Sequence, residues 1–149
     1  MKKILIIEDN APKLQHIKNF CAYNIQDSRL TDKQSYNTAQ QEVLFHGCEY
    51  DIILLDVSMN TYDTKKDDNG EQEPLAGANI LRFMKLRRIK TPVIVVTMYE
   101  SFVDGVRINA LDERFKKQYG DIYKGFVYFN LKNEDWNEEL LTKLNDILQ

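Results

Sequence analysis

The sequence has few cysteines and no long apolar run. Two of its 149 residues are cysteines, Cys21 and Cys48, and they are far apart with no Cys-x-x-Cys spacing. This excludes a disulfide-stapled scaffold and predicts two reduced thiols that pack as small buried hydrophobes. The first apolar stretch spans only Ile4 to Ile7, which is too short for a secretory signal, and no stretch is long enough to cross a bilayer. We therefore expect a cytoplasmic protein.

The sequence also lacks a strong charge of one sign. Lysine and arginine number 20 against 23 aspartates and glutamates, which gives a net charge of −3. No overall positive field attracts nucleic acid or an anionic membrane, and the basic stretch from Arg82 to Lys90 is typical of a solvated helix face. Hydrophobic residues make up 43% and charged residues 29%, which excludes a disordered tail or a collagen-like fibre. The length predicts a single domain over residues 1–149.

Four short apolar runs without polar alternation predict buried strands. They are Ile4–Ile7, Ile52–Leu55, Val93–Val96 and Phe126–Phe129. Such runs suit strands that are covered on both faces, as in a parallel sheet between layers of helices. A further strand with a weaker pattern is expected between Arg29 and Tyr36.

Segments with helical spacing alternate with these runs. Their apolar markers are Leu14, Ile17 and Phe20, then Val43 and Leu44 before Gly47, then Ile80, Leu81, Phe83 and Met84, then Ile108, Leu111, Phe115 and Tyr119, and last Trp136, Leu140, Leu144 and Leu148. Alternating strands and helices predict βαβ units with right-handed crossovers. The predicted fold class is therefore α/β, a doubly wound five-stranded parallel sheet of the flavodoxin-like type with strand order 2-1-3-4-5.

Acidic side chains and one hydroxyl follow the predicted strands. Glu8 and Asp9 follow the first strand, Asp56 follows the third and Thr97 ends the fourth. The carboxyl ends of parallel strands meet at one edge, so these side chains are expected to converge there. Neighbouring carboxylates repel one another, and Mg²⁺ with a phosphate suits such a set of oxygens. The alternative is that the acids only cap helices or lie in solvated turns.

Three segments resemble the receiver domains of bacterial two-component response regulators, the CheY-like family. They are KKILIIEDN, YDIILLDVSM and AGANILRFMKLRRIKTPVIVVTMYE. The resemblance implies that Asp56 accepts a phosphoryl group. It also implies that Asp9 binds Mg²⁺ directly, that Glu8 assists through water and that the main-chain carbonyl of Ser58 is a further ligand. Thr97 would donate a hydrogen bond to the phosphoryl group.

The same resemblance implies a function. A histidine kinase or a phosphotransfer protein would donate the phosphoryl group, Mg²⁺ would be the cofactor, and the stand-alone domain would signal through a downstream protein partner. The resemblance implies no turnover of an external substrate. It leaves open whether the protein forms a homodimer. The alternative is a degenerate receiver that acts as an interaction module without phosphorylation. A phosphatase is disfavoured because no second aspartate stands two residues after Asp56 as a general acid.

The chain departs from the family pattern near its fifth strand and in two longer segments. The family carries a Lys-Pro pair after that strand, whereas Lys132 is the nearest lysine here. If Tyr128 is the family's strand aromatic, alternation places Leu131 in the lysine position, and a bulge or an altered loop would be needed to deliver Lys132. The polar loop over residues 60–75 is long, and the fourth-helix region over residues 98–124 is enlarged.

Overall fold

The computed structural model describes residues 1–57, 77–98, 107–132 and 134–148. The predicted loop over residues 60–75 and the carbonyl of Ser58 lie outside the described residues, as does the part of the enlarged region over residues 99–106. Within the described part of the chain, no helix has the length and apolar character needed to span a membrane.

Five strands alternate with five α-helices in the described residues. The strands are β1 (Lys2–Ile7), β2 (Ser28–Lys33), β3 (Ile52–Leu55), β4 (Val93–Thr97) and β5 (Tyr123–Tyr128), and the helices are α1 (Ala11–Asn24), α2 (Tyr36–His46), α3 (Ala78–Arg87), α4 (Ile108–Tyr119) and α5 (Asp135–Leu148). All neighbouring strands are parallel, in the order β2-β1-β3-β4-β5. The predicted fold class and strand order are confirmed.

The two faces of the sheet bury separate apolar layers. Leu5 and Ile7 of β1 belong to the layer beneath α2, α3 and α4, whereas Ile4 and Ile6 belong to the layer beneath α1 and α5. Successive side chains of a strand point to opposite faces, so a strand between two layers needs an apolar residue at each position. This explains why the central strands appear in the sequence as continuous apolar runs.

Helix α1 begins with a capping residue directly after the acids of the β1 end. The side-chain oxygen of Asn10 accepts a hydrogen bond from the backbone N–H of Lys13 at 2.9 Å, and Pro12 lies in the first turn, where proline is well tolerated. Leu14 and Ile17 are buried against the sheet. The cap fixes the first turn, and Lys13 within it is 1% exposed.

Strand β5 begins earlier than the apolar run Phe126–Phe129 predicts. Its first residue is Tyr123, and its register against β4 shifts between Val93 and Val95. Gly125 in this stretch has a φ of +110°, a conformation that side chains other than glycine rarely adopt. The irregularity interrupts the pattern on which the sequence prediction depends, because a bulge inserts one residue out of alternation.

The two cysteines occupy different environments. Cys21 on α1 is fully buried, whereas Cys48 is exposed in the short 3-10 turn Gly47–Glu49 that follows α2. The prediction that both pack as buried hydrophobes is confirmed for Cys21 and wrong for Cys48. Cys48 lies in a connection at the surface, where no strand or helix face carries it inward.

Candidate functional site

The carboxyl ends of β1 and β3 bring three acids together. Glu8 and Asp9 directly follow β1, and Asp56 directly follows β3, its neighbour in the sheet. Each offers one carboxylate oxygen, and these oxygens lie within 4.8 Å of one another. Glu8 and Asp56 are buried, whereas Asp9 is exposed. The cluster therefore has a buried side and a side that faces solvent.

Burial dominates the electrostatics of Glu8. Desolvation raises the pKa of its carboxyl, with the charge of Lys13 opposing the rise and the charge of Asp56 adding to it. The backbone N–H of Asn10 donates a hydrogen bond to Glu8 Oε2 at 3.1 Å. A cation close to such a buried carboxyl favours its ionised form.

A buried lysine supplies that cation. Lys13 Nζ lies 2.6 Å from Glu8 Oε1 and 3.8 Å from Asp56 Oδ2, and the Lys13 side chain is 2% exposed. The same ammonium donates a hydrogen bond to the carbonyl oxygen of Val96 at 2.7 Å. One side chain from α1 thus contacts groups at the ends of β1, β3 and β4.

An aromatic side chain covers the ammonium of Lys13. Its Nζ lies 6.0 Å from the ring centroid of Phe129, at the limit of a cation–π contact. The ring of Phe129 packs 4.7 Å from that of Trp136, the one tryptophan of the sequence. Trp136 therefore lies one aromatic ring away from the charged cluster.

Thr97 ends β4 at the same edge of the sheet. It is fully buried, and its register partner on the neighbouring strand β5 is Tyr128. Its carbonyl oxygen accepts a hydrogen bond from the backbone N–H of Phe129 at 2.7 Å. The preceding residue, Val96, holds the ammonium of Lys13. The structure thus places the predicted hydroxyl residue on the strand that borders the acids.

Lys132, the lysine nearest to the expected position, has an exposed side chain. Its backbone N–H donates a hydrogen bond to Asn130 Oδ1 at 2.8 Å. Within the described ranges, the ion pairs made to Glu8 and Asp56 come from Lys13, and none comes from Lys132.

The sequence reasoning missed Lys13, although a signal was present. Residues 13, 17 and 20 stand at i, i+4 and i+7, so Lys13 lies on the same helical stripe as the apolar Ile17 and Phe20. A lysine in the first turn also opposes the helix dipole, and burial of an ammonium is costly unless it is paired. A lysine that breaks these rules beside an acidic pair indicates a buried ion pair.

Gly77 allows close packing against the backbone of the acid that follows β3. It precedes α3, and a Cβ built on it would overlap the carbonyl oxygen of Asp56 and lie 2.8 Å from Val57 Cα. A carbon at this distance from backbone atoms forces them to move. The absence of a side chain at Gly77 therefore helps to set the position of Asp56.

The donor set suits a hard divalent cation. Mg²⁺ prefers oxygen ligands and is usually held by one or two carboxylates together with water or phosphate. Three carboxylate oxygens within 4.8 Å of one another, one of them on the exposed Asp9, meet this requirement. The residues present therefore fit the magnesium ion expected for such a site.

Comparison with solved structures identifies the class of fold. The response regulator receiver domain protein of Clostridium thermocellum aligns with a TM-score of 0.69 at 17% identity, covering 99% of this chain and 94% of that one. The response regulator domain of Thermotoga maritima CheB aligns with a TM-score of 0.64 at 17% identity, covering 99% and 96%. At such identities the likeness concerns the fold, and the fold is that of a receiver domain.

Comparison with known sequences gives matches of higher identity than the solved structures do. No family model matches the chain. The chain is 33% identical over 150 residues to the Detocs response regulatory protein DtcB of Enterobacter cloacae (strain JD6301), covering 97% of this chain and 99% of that protein. It is 25% identical over 139 residues to the uncharacterized protein y4jR of Sinorhizobium fredii, covering 90% and 91%. The chain belongs to the response-regulator receiver family of two-component signalling.

Proposed function

We propose that this receiver accepts a phosphoryl group on the carboxylate of Asp56. The donor is a phosphohistidine of a histidine kinase or phosphotransfer protein, and the output passes through a downstream protein partner. The observation that carries the proposal is the convergence of Glu8, Asp9 and Asp56, whose oxygens lie within 4.8 Å of one another at the carboxyl edge of the sheet. Membership of the receiver family supports the same assignment.

The transfer needs little covalent work from the protein. The P–N bond of the donor breaks with its electron pair left on the imidazole nitrogen, and a P–O bond forms to a carboxylate oxygen of Asp56. An ionised carboxylate carries no proton, so no general base is required. The product is an acyl phosphate with a charge of about −1.5 to −2, by analogy with other phosphorylated residues. Positioning and neutralisation of this charge are then the main tasks of the site.

The residues around Asp56 divide these tasks. Asp9 and Asp56 would hold Mg²⁺ directly and Glu8 through water, and the ion would neutralise charge on the phosphoryl oxygens. The carbonyl of Ser58 is proposed as a further ligand and lies outside the described residues. Thr97, buried at the end of β4, would donate its hydroxyl to the phosphoryl group.

The cellular setting follows from the thiol chemistry and the charge. Both cysteines are free, which suits a reducing compartment, so we place the protein in the cytoplasm. With a net charge of −3, the proposal includes no nucleic acid and no membrane as a partner. It also treats the chain as a signalling domain without turnover of an external substrate.

A receiver that works as an interaction module without phosphorylation is the second candidate. The observation that favours it is the ammonium of Lys13, which lies 2.6 Å from Glu8 Oε1 and so neutralises part of the cluster without a metal ion. In that case the acids would have a structural role and the output surface would be constant.

Incubation with acetyl phosphate and Mg²⁺, followed by intact-mass measurement, tests the proposal. We expect a mass gain of one phosphoryl group. The gain should be absent when EDTA is present during the incubation, and absent in Asp56→Asn. Asp51→Asn is the matched control, because it makes the same change at the opposite end of β3. There the carboxylate accepts a hydrogen bond from the backbone N–H of Lys3. No gain with several donors would favour the interaction module. Continuous donor hydrolysis without an adduct would favour a phosphatase.

A further inference from the structure

We propose that Lys13 binds the phosphoryl group on Asp56, so that the cation of this site comes from the start of α1 and not from the end of β5. The inference rests on the proposed function and adds to it the residue that recognises the phosphoryl group. It follows from the position of one buried ammonium among the acids of the cluster.

The position of the ammonium is the first argument. Lys13 Nζ lies 3.8 Å from Asp56 Oδ2, and the two side chains are 2% and 5% exposed. A phosphoryl group on Asp56 adds three strong acceptor oxygens beside this ammonium. Lys13 can therefore reach them without leaving its buried position, and hydrogen bonds between charged groups are the strong ones in such surroundings.

The donor inventory of Lys13 is the second argument. An ammonium has three N–H donors. Glu8 Oε1 at 2.6 Å and the carbonyl oxygen of Val96 at 2.7 Å account for two of them. The ion pair with Asp56 at 3.8 Å is longer than a hydrogen bond. A lysine with only a structural role would need no partner beyond Glu8 and Val96. Because Lys13 also lies near Asp56, its third N–H donor suits an oxygen of a phosphoryl group on that residue.

The charge balance is the third argument. Three acids face one lysine in the cluster, and phosphorylation increases the negative charge at Asp56. Across the part of the chain that the structure describes, Lys13 is the cation that pairs with Glu8 and Asp56, whereas Lys132 and Lys124 have exposed side chains. The lysine that the family carries after its fifth strand is thus replaced in function by one from another element.

Phosphorylation rates of matched lysine variants test the inference. We expect Lys13→Met to slow phosphorylation by acetyl phosphate about 100-fold, in line with the removal of one charge-stabilising donor. Lys132→Met, the same change on an exposed lysine, should keep the wild-type rate, and Lys13→Arg should regain part of the loss. The fluorescence of Trp136 reports in parallel whether each variant retains a folded aromatic cluster. A wild-type rate in Lys13→Met would overturn the inference and leave the proposed function intact.

A structure of the wild-type protein with Mg²⁺ and beryllofluoride, a phosphoryl mimic, tests the same point without a variant. We expect Lys13 Nζ within hydrogen-bonding distance of a fluoride on Asp56. An ammonium still directed only at Glu8 and Val96, with Lys132 on the fluoride, would refute the role of Lys13 but not that of Asp56. If the wild type takes up neither phosphate nor beryllofluoride, the proposed function fails and the inference fails with it.

Discussion

The ammonium of Lys13 lies 2.6 Å from a carboxylate oxygen of Glu8, and both side chains are 2% exposed. This pair joins the first turn of α1 to the end of β1, and its contact with Val96 extends it to β4. A cation in this position relieves the repulsion among the acids that the parallel sheet brings to one edge. The pair therefore affects both the stability of the fold and the chemistry of the site.

Removal of the lysine alone should destabilise the protein strongly. Lys13→Met leaves the carboxyl of Glu8 buried without its cation, and breaking a buried ion pair in this way costs about 3–5 kcal/mol in the free energy of unfolding. Urea unfolding measures the loss. Lys132→Met should unfold like the wild type, because exposed positions away from such contacts tolerate substitution.

The double variant Glu8→Gln with Lys13→Met checks the cause of that loss. Removing both charges takes away the unpaired buried group, so part of the lost stability should return. Equal stability of Lys13→Met and the wild type would contradict the buried pair itself.

Addition of Mg²⁺ should change the fluorescence of Trp136. A divalent cation at the acids changes the charge that surrounds Lys13. The ammonium of Lys13 lies 6.0 Å from the ring centroid of Phe129, which packs 4.7 Å from that of Trp136. We expect a saturable change in a fluorescence titration that EDTA reverses.

Asp9→Asn should weaken that response, because it removes the exposed carboxylate of the cluster. Asp27→Asn is the control, since Asp27 is an exposed acid with a φ of 55°, which asparagine adopts readily. An unchanged titration in Asp9→Asn would show that the ion binds elsewhere.

Gly77→Ala should disturb the site through the backbone. Its Cβ would overlap the carbonyl oxygen of Asp56, so we expect a loss of about 1–3 kcal/mol in unfolding free energy and slower phosphorylation. Gly47→Ala is the matched control, because its Cβ would meet only side-chain carbons of Ile89 and Val43 at 3.2 and 3.3 Å. Loss of activity in Gly47→Ala alone would contradict the assigned packing.

The two thiols should differ in reactivity. Burial raises the pKa of Cys21 to about 12, so its thiol stays protonated as the pH rises from 7 to about 9, and the thiolate is the reactive form. Cys48 is exposed. Alkylation of the native protein, followed by mass spectrometry, should therefore modify Cys48 alone, and Cys21 should react only after unfolding. Two rapid modifications in the native state would contradict the burial of α1.

Much of the fold was predictable because a parallel sheet between two helical layers leaves a clear pattern. Ile4–Ile7 and Ile52–Leu55 are continuous apolar runs since both faces of β1 and β3 are buried. The same topology places the residues after these strands at one edge, so the meeting of Glu8, Asp9 and Asp56 followed from their position in the sequence.

The remaining features depend on contacts between elements, which spacing alone does not specify. β5 ends at Tyr128, so alternation within the strand does not place Leu131 or Lys132. Lys13 lies on the buried stripe of α1, but its pairing with Glu8 depends on the angle at which the helix follows β1. The sequence therefore signals a buried lysine on α1, and the assembled fold identifies Glu8 as its partner.

Reduction of the phosphorylated protein with borohydride tests the central claim most directly, because it converts an aspartyl phosphate into homoserine and so marks the acceptor permanently. After treatment with acetyl phosphate and Mg²⁺, proteolysis and mass spectrometry should locate homoserine at position 56. The mark should be absent when Mg²⁺ is withheld. A mark at Asp9, or a phosphoryl group retained on His16 or His46 with Asp56 unmodified, would contradict the account.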